Sequence, residues 1–195
     1  MIAQMSSAAT VPVVLALGAN LGEARLTLAR AVDGLAGADG LEIDAVSRLV
    51  SSAPVGGPEQ PSYLNAVVLA RTVLTPQSVL AVAHHLEQAA GRERLVRWGP
   101  RTLDIDVIQY GERPDTALSD DPELTLPHPR AQERAFVLVP WAQADPAAVL
   151  VLADGTEAAV GDLAARAADR AGVRAGPDWP QGSRAAGLAG MPVQR

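Results

Sequence analysis

Asp104 and Asp106 stand two residues apart in the run Leu103-Asp104-Ile105-Asp106-Val107-Ile108, directly after the cationic turn Arg97-Trp98-Gly99-Pro100-Arg101-Thr102. In an extended strand, side chains i and i+2 share a face, so both carboxylates point one way while Leu103, Ile105 and Val107 point into a core. Their Cα atoms then lie roughly 6.5 Å apart, a spacing at which two carboxylates converge on one or two Mg²⁺ ions. A lone Asp-x-Asp pair usually marks a solvated strand face. Here Arg92, Arg94, Arg97 and Arg101 lie within ten residues of one another, and such a density of cations suits phosphate oxygens. Asp is also a poor strand former, so two of them inside an apolar strand need a reason.

The chain that must position these groups has 195 residues, enough for one compact domain with a substantial core. The expected organisation is a disordered N-terminus over 1–10, a single domain over 11–175 and a mobile, Gly/Pro-rich tail over 176–195. There are no cysteines, which excludes disulfides, thiolate metal sites and cysteine nucleophiles and suits a reducing compartment. No apolar run has the length of a membrane span and Met1 to Thr10 lacks the pattern of a signal peptide, so a cytoplasmic protein with no membrane partner is expected. The net charge of −6 argues against a general nucleic-acid binder. All sixteen basic residues are arginine, which excludes a lysine nucleophile or Schiff base.

Val11 to Leu17 reads as a strand, followed by Gly18-Ala19-Asn20-Leu21-Gly22-Glu23, in which Asn20 and Glu23 have the spacing of a capping box. The Gly-x-Asn turn suits either a structural strand-to-helix turn or a phosphate. A helix to about Ala36 follows, with Leu28, Val32 and Leu35 as its apolar stripe and Gly37 as its stop. Ile43 to Ser52 reads as a second strand. Ala53 to Ser62 holds three prolines and two glycines, which is loop chemistry. Tyr63 to Leu74 reads as a third strand with Tyr63, Asn65 and Val67 on one face; Asn65 there lies in solvent or reads the polar edge of a ligand.

Thr75-Pro76 supplies an N-cap and first-turn proline for a helix to about Ala90, closed by Gly91. His84 and Glu87 share a face of it and, in isolation, read as solvated. After the Asp-bearing strand come a polar stretch, then Leu126-Pro127-His128-Pro129-Arg130 and a short helix with Glu133, Arg134 and Phe136. His128 held between prolines, with Arg134 six residues on, suits a second phosphate clamp. Pro146 to Arg170 reads as a helical segment broken at Asp154-Gly155. The order strand, helix, strand, strand, helix, strand predicts an α+β fold, a ferredoxin-like sandwich with a βαββαβ core, two helices on one face of an antiparallel sheet, and a C-terminal helical and loop extension.

Three motifs, Arg97-Trp98-Gly99-Pro100-Arg101-Thr102-Leu103-Asp104-Ile105-Asp106, Gln60-Pro61-Ser62-Tyr63-Leu64-Asn65-Ala66 and Leu126-Pro127-His128-Pro129-Arg130, occur in an order and at spacings that resemble the 6-hydroxymethyl-7,8-dihydropterin pyrophosphokinases. The likeness covers roughly Val11 to Gly172. It implies transfer of the β,γ-pyrophosphoryl group of ATP to the hydroxymethyl group of a reduced pterin, with release of AMP, in folate biosynthesis, assisted by two Mg²⁺ ions. It also implies Asp104 and Asp106 as metal ligands and, with Arg92 and Arg94, as the catalytic set. Tyr63 and Phe136 match the aromatic pair that sandwiches the pterin, Asn65 its polar-edge partner, and Ser52, Ala53, Val55 and Trp98 the rest of that pocket. His84, Glu87, Arg92, Arg94, Trp98, Arg101, Val107, His128 and Arg134 match nucleotide-side positions. ATP and the pterin are thus the expected partners, bound by a monomer.

The residues make physical sense of that likeness. A flat, amide-rich ring needs aromatic faces and a polar partner at its edge, and phosphoryl transfer needs in-line positioning and spread positive charge. The loops around Gly56-Gly57 and from Gly91 to Gly99 are the candidates to close over ATP. No residue stands out as a general base. Two rivals remain: a non-enzymatic module of the same fold that binds a small ligand or RNA on its sheet, and a two-metal phosphohydrolase. The second leaves Tyr63, Asn65 and Trp98 without a role.

Overall fold

The structure, a computed structural model, describes residues 9–54, 59–91 and 101–191. The first apolar run forms β1 (Val11–Ala19), followed by α1 (Ala24–Ala36), β2 (Leu41–Val46), β3 (Val50–Ser52), β4 (Tyr63–Thr72), α2 (Pro76–Ala89) and β5 (Asp104–Tyr110). Thr75 caps α2 as its sequence predicts, its side chain accepting from the Ser78 amide. β1 lies in the middle of the sheet, antiparallel to β4 on one side and β5 on the other, and β2 and β3 both pair with β4. The expected strand over 43–52 is therefore interrupted. At the break Ser47 takes over the ladder: its amide donates to Val67 O and its hydroxyl accepts from Val67 N, both at 2.9 Å.

Alternation along the strands sends Val13, Leu15 and Leu17, Ala66, Val68 and Ala70, and Ile105 and Val107 to one face, where Leu28, Val32 and Leu35 of α1 and Val79 and Ala83 of α2 cover them. The opposite face is apolar too, with Val14, Val67, Leu69 and Ile108. Helices on one face alone do not suffice for such a sheet. The chain covers the second face with α3 (Ala135–Ala144), the hairpin of β8 (Val149–Val151) and β9 (Glu157–Ala159), and α4 (Val160–Arg166), which gives three layers. Between β5 and α3, β6 (Ser119–Asp121) and β7 (Leu124–Leu126) form a small hairpin.

The segment expected to be helical from Pro146 to Arg170 is thus a hairpin followed by a helix. Val149-Leu150-Val151 is strand-forming, and Asp154-Gly155 makes a turn with Gly155 at φ 78° and Asp154 Oδ1 accepting from Thr156 N. Buried Gln109 ties that hairpin to the sheet edge, accepting from Val151 N at 2.8 Å. β10 (Val173–Ala175), at the end of the expected domain, pairs with β3, and in the described part of the segment expected to be a mobile tail α5 (Arg184–Leu188) packs on α1 and β2. Between them Trp179 enters the core with 6% of its surface exposed, and its indole N–H donates to Ser47 O at 2.9 Å. A large apolar ring with a satisfied polar tip outweighs the Gly and Pro around it.

Replacing that ring tests the assignment of 176–191 to the core. Trp179→Ala is expected to cost about 3–5 kcal/mol in urea unfolding. A loss below about 1 kcal/mol would mean that this segment unfolds separately.

Candidate active site

Antiparallel pairing places Asp104 opposite Gly18 and Asp106 opposite Ala16, so two small residues of β1 floor the space beside the two carboxylates. On the other side of β1, Gly18 pairs with Asn65. A Cβ at Gly18 would lie 3.2 Å from Asn65 Oδ1, which explains glycine there. The strands thus bring Asp104, Asp106, Asn65 and Tyr63 to one face. With Ser52, Gln60, Arg101, Arg130, Arg134 and Phe136 they line a cleft of about 550 Å³.

One end of the cleft is charged. Arg101 Nη1 pairs with Asp104 Oδ2, Arg134 Nη1 lies 3.4 Å from Asp106 Oδ2, and His128 Nε2 lies 3.9 Å from the same oxygen. His128 Nδ1 accepts from Arg130 N, and its own amide donates to Ile108 O, which fastens the Pro-His-Pro turn to the edge of β5. Burial pushes the Asp106 carboxyl above the usual range, and the charge of Asp104 adds to that; His128, Arg134 and Arg101 offset it only in part. Burial likewise lowers His128 against the pull of Asp106, and lowers Arg134. At Arg101 burial also opposes the charge, but the charge and hydrogen bond of Asp104, aided by Asp106, more than offset it and raise its pKa.

Aromatic side chains line the cleft beside this charged cluster. Phe136, the single phenylalanine of the chain, and Tyr63, one of its two tyrosines, both line it. The Arg134 guanidinium sits over the Phe136 ring, 5.5 Å from its centroid, so one cation touches both ends of the cleft. Asn65 is buried and donates from Nδ2 to Ser52 Oγ at 2.9 Å, which resolves its place: it faces the cleft and not bulk solvent. Burial raises the Tyr63 phenol, and its hydroxyl donates to Gln60 Oε1.

Asn20 holds these parts together and does not cap a helix. Its Oδ1 accepts from Arg101 N at 2.8 Å, and its Nδ2 donates to Gln60 Oε1 and Pro61 O, each at 3.0 Å. Glu23 takes the N-cap position of α1 with no side-chain bond. The capping-box spacing was local, whereas three backbone and amide partners from two other segments were available to the buried Asn20. Glu87 also departs from the solvated reading: it is buried and its Oε1 accepts from Ile105 N at 2.8 Å, steadying the strand between the two aspartates.

Eight of the expected site residues therefore meet in one cleft: Ser52, Tyr63, Asn65, Arg101, Asp104, Asp106, Arg134 and Phe136. His128 joins through Asp106. Ala53 is exposed and His84 half-buried on α2, neither of them lining the cleft, and Val107 is buried on the opposite face of β5. Val55, Gly56, Gly57, Arg92, Arg94, Arg97 and Trp98 lie outside the described residues. Sequence reasoning missed Ala16, Gly18, Arg130, Arg166 and Asp169, which also line the cleft. The period-two pattern of β1 was the signal for the first two; the others depend on how distant segments pack.

Asn20→Ala strands three partners and is expected to cost about 2–3 kcal/mol in denaturant unfolding, with a fall in turnover as Arg101 and Tyr63 lose their anchor. Asp106 gives a pH-dependent expectation. Its folded pKa lies above the unfolded value, so its ionised form costs stability above the unfolded pKa and the cost disappears as pH falls through the folded pKa. Without divalent cations, Asp106→Asn is expected to melt above the parent at pH 7, with the gap closing as pH falls into the ordinary carboxylate range. A lower melting temperature at pH 7 would show that pairing with Arg134 outweighs burial.

The family model described as 7,8-dihydro-6-hydroxymethylpterin-pyrophosphokinase (HPPK) matches residues 14–146. The chain is similar to the 2-amino-4-hydroxy-6-hydroxymethyldihydropteridine pyrophosphokinase of Methylorubrum extorquens, 43% identical over 136 residues that cover 70% of this chain and 84% of that protein. It is similar also to the protein of the same name from Mycobacterium tuberculosis, 44% identical over 147 residues that cover 72% and 76%. Among solved structures, wild-type Plasmodium falciparum HPPK-DHPS superposes with a TM-score of 0.58 at 14% identity, covering 83% of this chain and 45% of that one, a likeness of fold alone. This chain spans less than half of the Plasmodium chain. By the extent of the family match and the identity to these relatives, the chain belongs to the 7,8-dihydro-6-hydroxymethylpterin-pyrophosphokinase family.

Proposed function

We propose that the cleft between β4, β5 and α3 is where this chain binds a reduced pterin against the triphosphate of ATP. As a member of its family the chain is a transferase that moves pyrophosphate from ATP to 6-hydroxymethyl-7,8-dihydropterin in folate synthesis. The observation that carries the assignment is the two-ended cleft: an apolar end with Tyr63, Phe136 and the buried Asn65–Ser52 pair, and a charged end with Asp104 and Asp106. A pterin is flat, with an amide and amino edge. Tyr63 and Phe136 supply faces for the ring, and Asn65 supplies a carbonyl and an amide for the edge. A buried, hydrogen-bonded Asn rejects ligands that leave it unpaired, so it sets specificity as well as affinity.

The donor set fits Mg²⁺. Among the described residues no group of three or more His, Asp or Glu side chains forms a closed metal cage. Two carboxylates on one face are what Mg²⁺ uses when phosphate oxygens and water complete its shell. Asp104 and Asp106 would hold the metal, with two ions as the family likeness implies, and bound metal would supply charge neutralisation at the transferred group. Arg101 and Arg134 balance the aspartates in the structure and are placed to turn to phosphate oxygens. Arg130 lines the same end, and Arg92, Arg94, Trp98 and His128 join the nucleotide side by the family likeness. His84, Val107, Ala53 and Val55 keep their assignments on that likeness alone. Glu87 acts through Ile105, by holding the strand that carries the aspartates.

The sheet order supports the finer description as a ferredoxin-like sandwich, with β2 and β3 counted as one interrupted strand. No helix among the described residues is long and apolar enough to cross a membrane. The acidic, cysteine-free composition favours the cytoplasm and disfavours a nucleic-acid partner.

Purified protein with ATP, Mg²⁺ and the reduced hydroxymethylpterin is expected to release AMP and form the pterin pyrophosphate. ADP as the nucleotide product, or turnover without pterin, would count against this reading. Asp104→Ala and Asp106→Ala are each expected to abolish turnover while pterin binding, followed by calorimetry, persists. Full Mg²⁺-dependent activity in both variants would refute the metal assignment.

A further inference from the structure

The match to the family model ends at residue 146, yet Leu163, Arg166, Ala167, Ala168 and Asp169 form one wall of the cleft. Two ties run from this wall, one to the residue before Phe136 and one to the hydrogen-bond partner of Asn65. Asp169 Oδ1 accepts from the Ala135 amide at 2.8 Å. Ala135 opens α3, and Arg134 at the N-cap position makes no side-chain cap bond, so a carboxylate from a distant segment satisfies a free amide at the positive end of the helix. Four residues after Asp169, Val173 of β10 pairs with Ser52, the residue whose hydroxyl accepts from Asn65. A turn closes the gap between the two ties, with Gly172 N donating to Asp169 O at 2.9 Å. Ala167 and Val173 also pack in one cluster with Val50, Ala135 and Phe136.

We propose that Asp169 is a positioning residue for the pterin-stacking end of the cleft: by capping α3 at Ala135 it sets the place of the Phe136 ring relative to the Ser52–Asn65 edge. The inference rests on the pterin reading of the cleft. Arg134 has a second anchor in Asp106, whereas Phe136 is held through its backbone, through apolar packing and by the Arg134 guanidinium over its ring. Loss of the cap therefore falls on the ring first. An aromatic wall displaced by a fraction of an ångström loses stacking with a flat ligand while leaving the charged end in place.

The test is steady-state kinetics of Asp169→Ala and Asp169→Asn in the full chain, with Phe136→Ala alongside. Asp169→Ala is expected to raise KM for the hydroxymethylpterin about tenfold, with kcat and KM for ATP within about twofold. Asp169→Asn keeps an oxygen that accepts from Ala135 N and is expected to return pterin KM to within about twofold of the parent. An unchanged pterin KM in Asp169→Ala, alongside a large loss in Phe136→Ala, overturns the positioning role and leaves the pterin reading intact. The positioning role falls equally if Asp169→Asn is as impaired as Asp169→Ala, or if both KM values rise together. An unchanged pterin KM in Phe136→Ala overturns the pterin reading and this inference with it.

Discussion

Asp104 and Asp106 project from the same face of β5, and the repulsion between two carboxylates held that close has to be offset before the strand can pair and bury its other face. The offset comes from Arg101 at one end of the pair and from Arg134 and His128 at the other. Arg101 lies three residues before Asp104, whereas His128 and Arg134 come from one later segment of the chain. The Asn20 clamp holds the backbone of Arg101, and the start of α3 carries Arg134. Desolvation and the charge of Asp104 push the Asp106 carboxyl up, and the three cations offset that only in part.

Buried polar groups act as the joints of this architecture. Asn20 joins β1 to the segments before β4 and β5, Asn65 and Ser52 join neighbouring strands, Glu87 joins α2 to β5, and Gln109 joins β5 to the β8–β9 hairpin. A buried polar atom without a partner is costly, so each such bond specifies one arrangement among the many an apolar core would accept. The apolar layers supply most of the driving force. The polar joints decide the register in which the two ends of the cleft face each other.

Local pattern made much of this legible in the chain. The period of two placed both carboxylates on one face, Thr75-Pro76 announced α2, and the run of apolar strands and helices announced an α+β sheet protein. Reading failed where the deciding partner was remote. Asn20 and Glu23 have capping-box spacing, but Asn20 gains more from Arg101, Gln60 and Pro61. Glu87 looks like a surface residue of a helix until the amide of Ile105 is brought against it. Gly and Pro around Trp179 suggest mobility, and one indole outweighs them because the gap beside Ser47 fits it.

The residue types and their spacing by themselves determined the chemistry available to this protein: two carboxylates on one strand face, arginines in excess nearby, and few aromatics to stack a ring. These are consequences of backbone periodicity and charge, which act within a few residues. Only the tertiary structure decided that Phe136 and Tyr63 share a cleft with Asp104 and Asp106, that the second face of the sheet is covered, and that Asp169 caps the helix bearing Phe136. Those outcomes depend on which distant segments can satisfy one another's buried amides and fill one another's gaps, and no local window contains both partners.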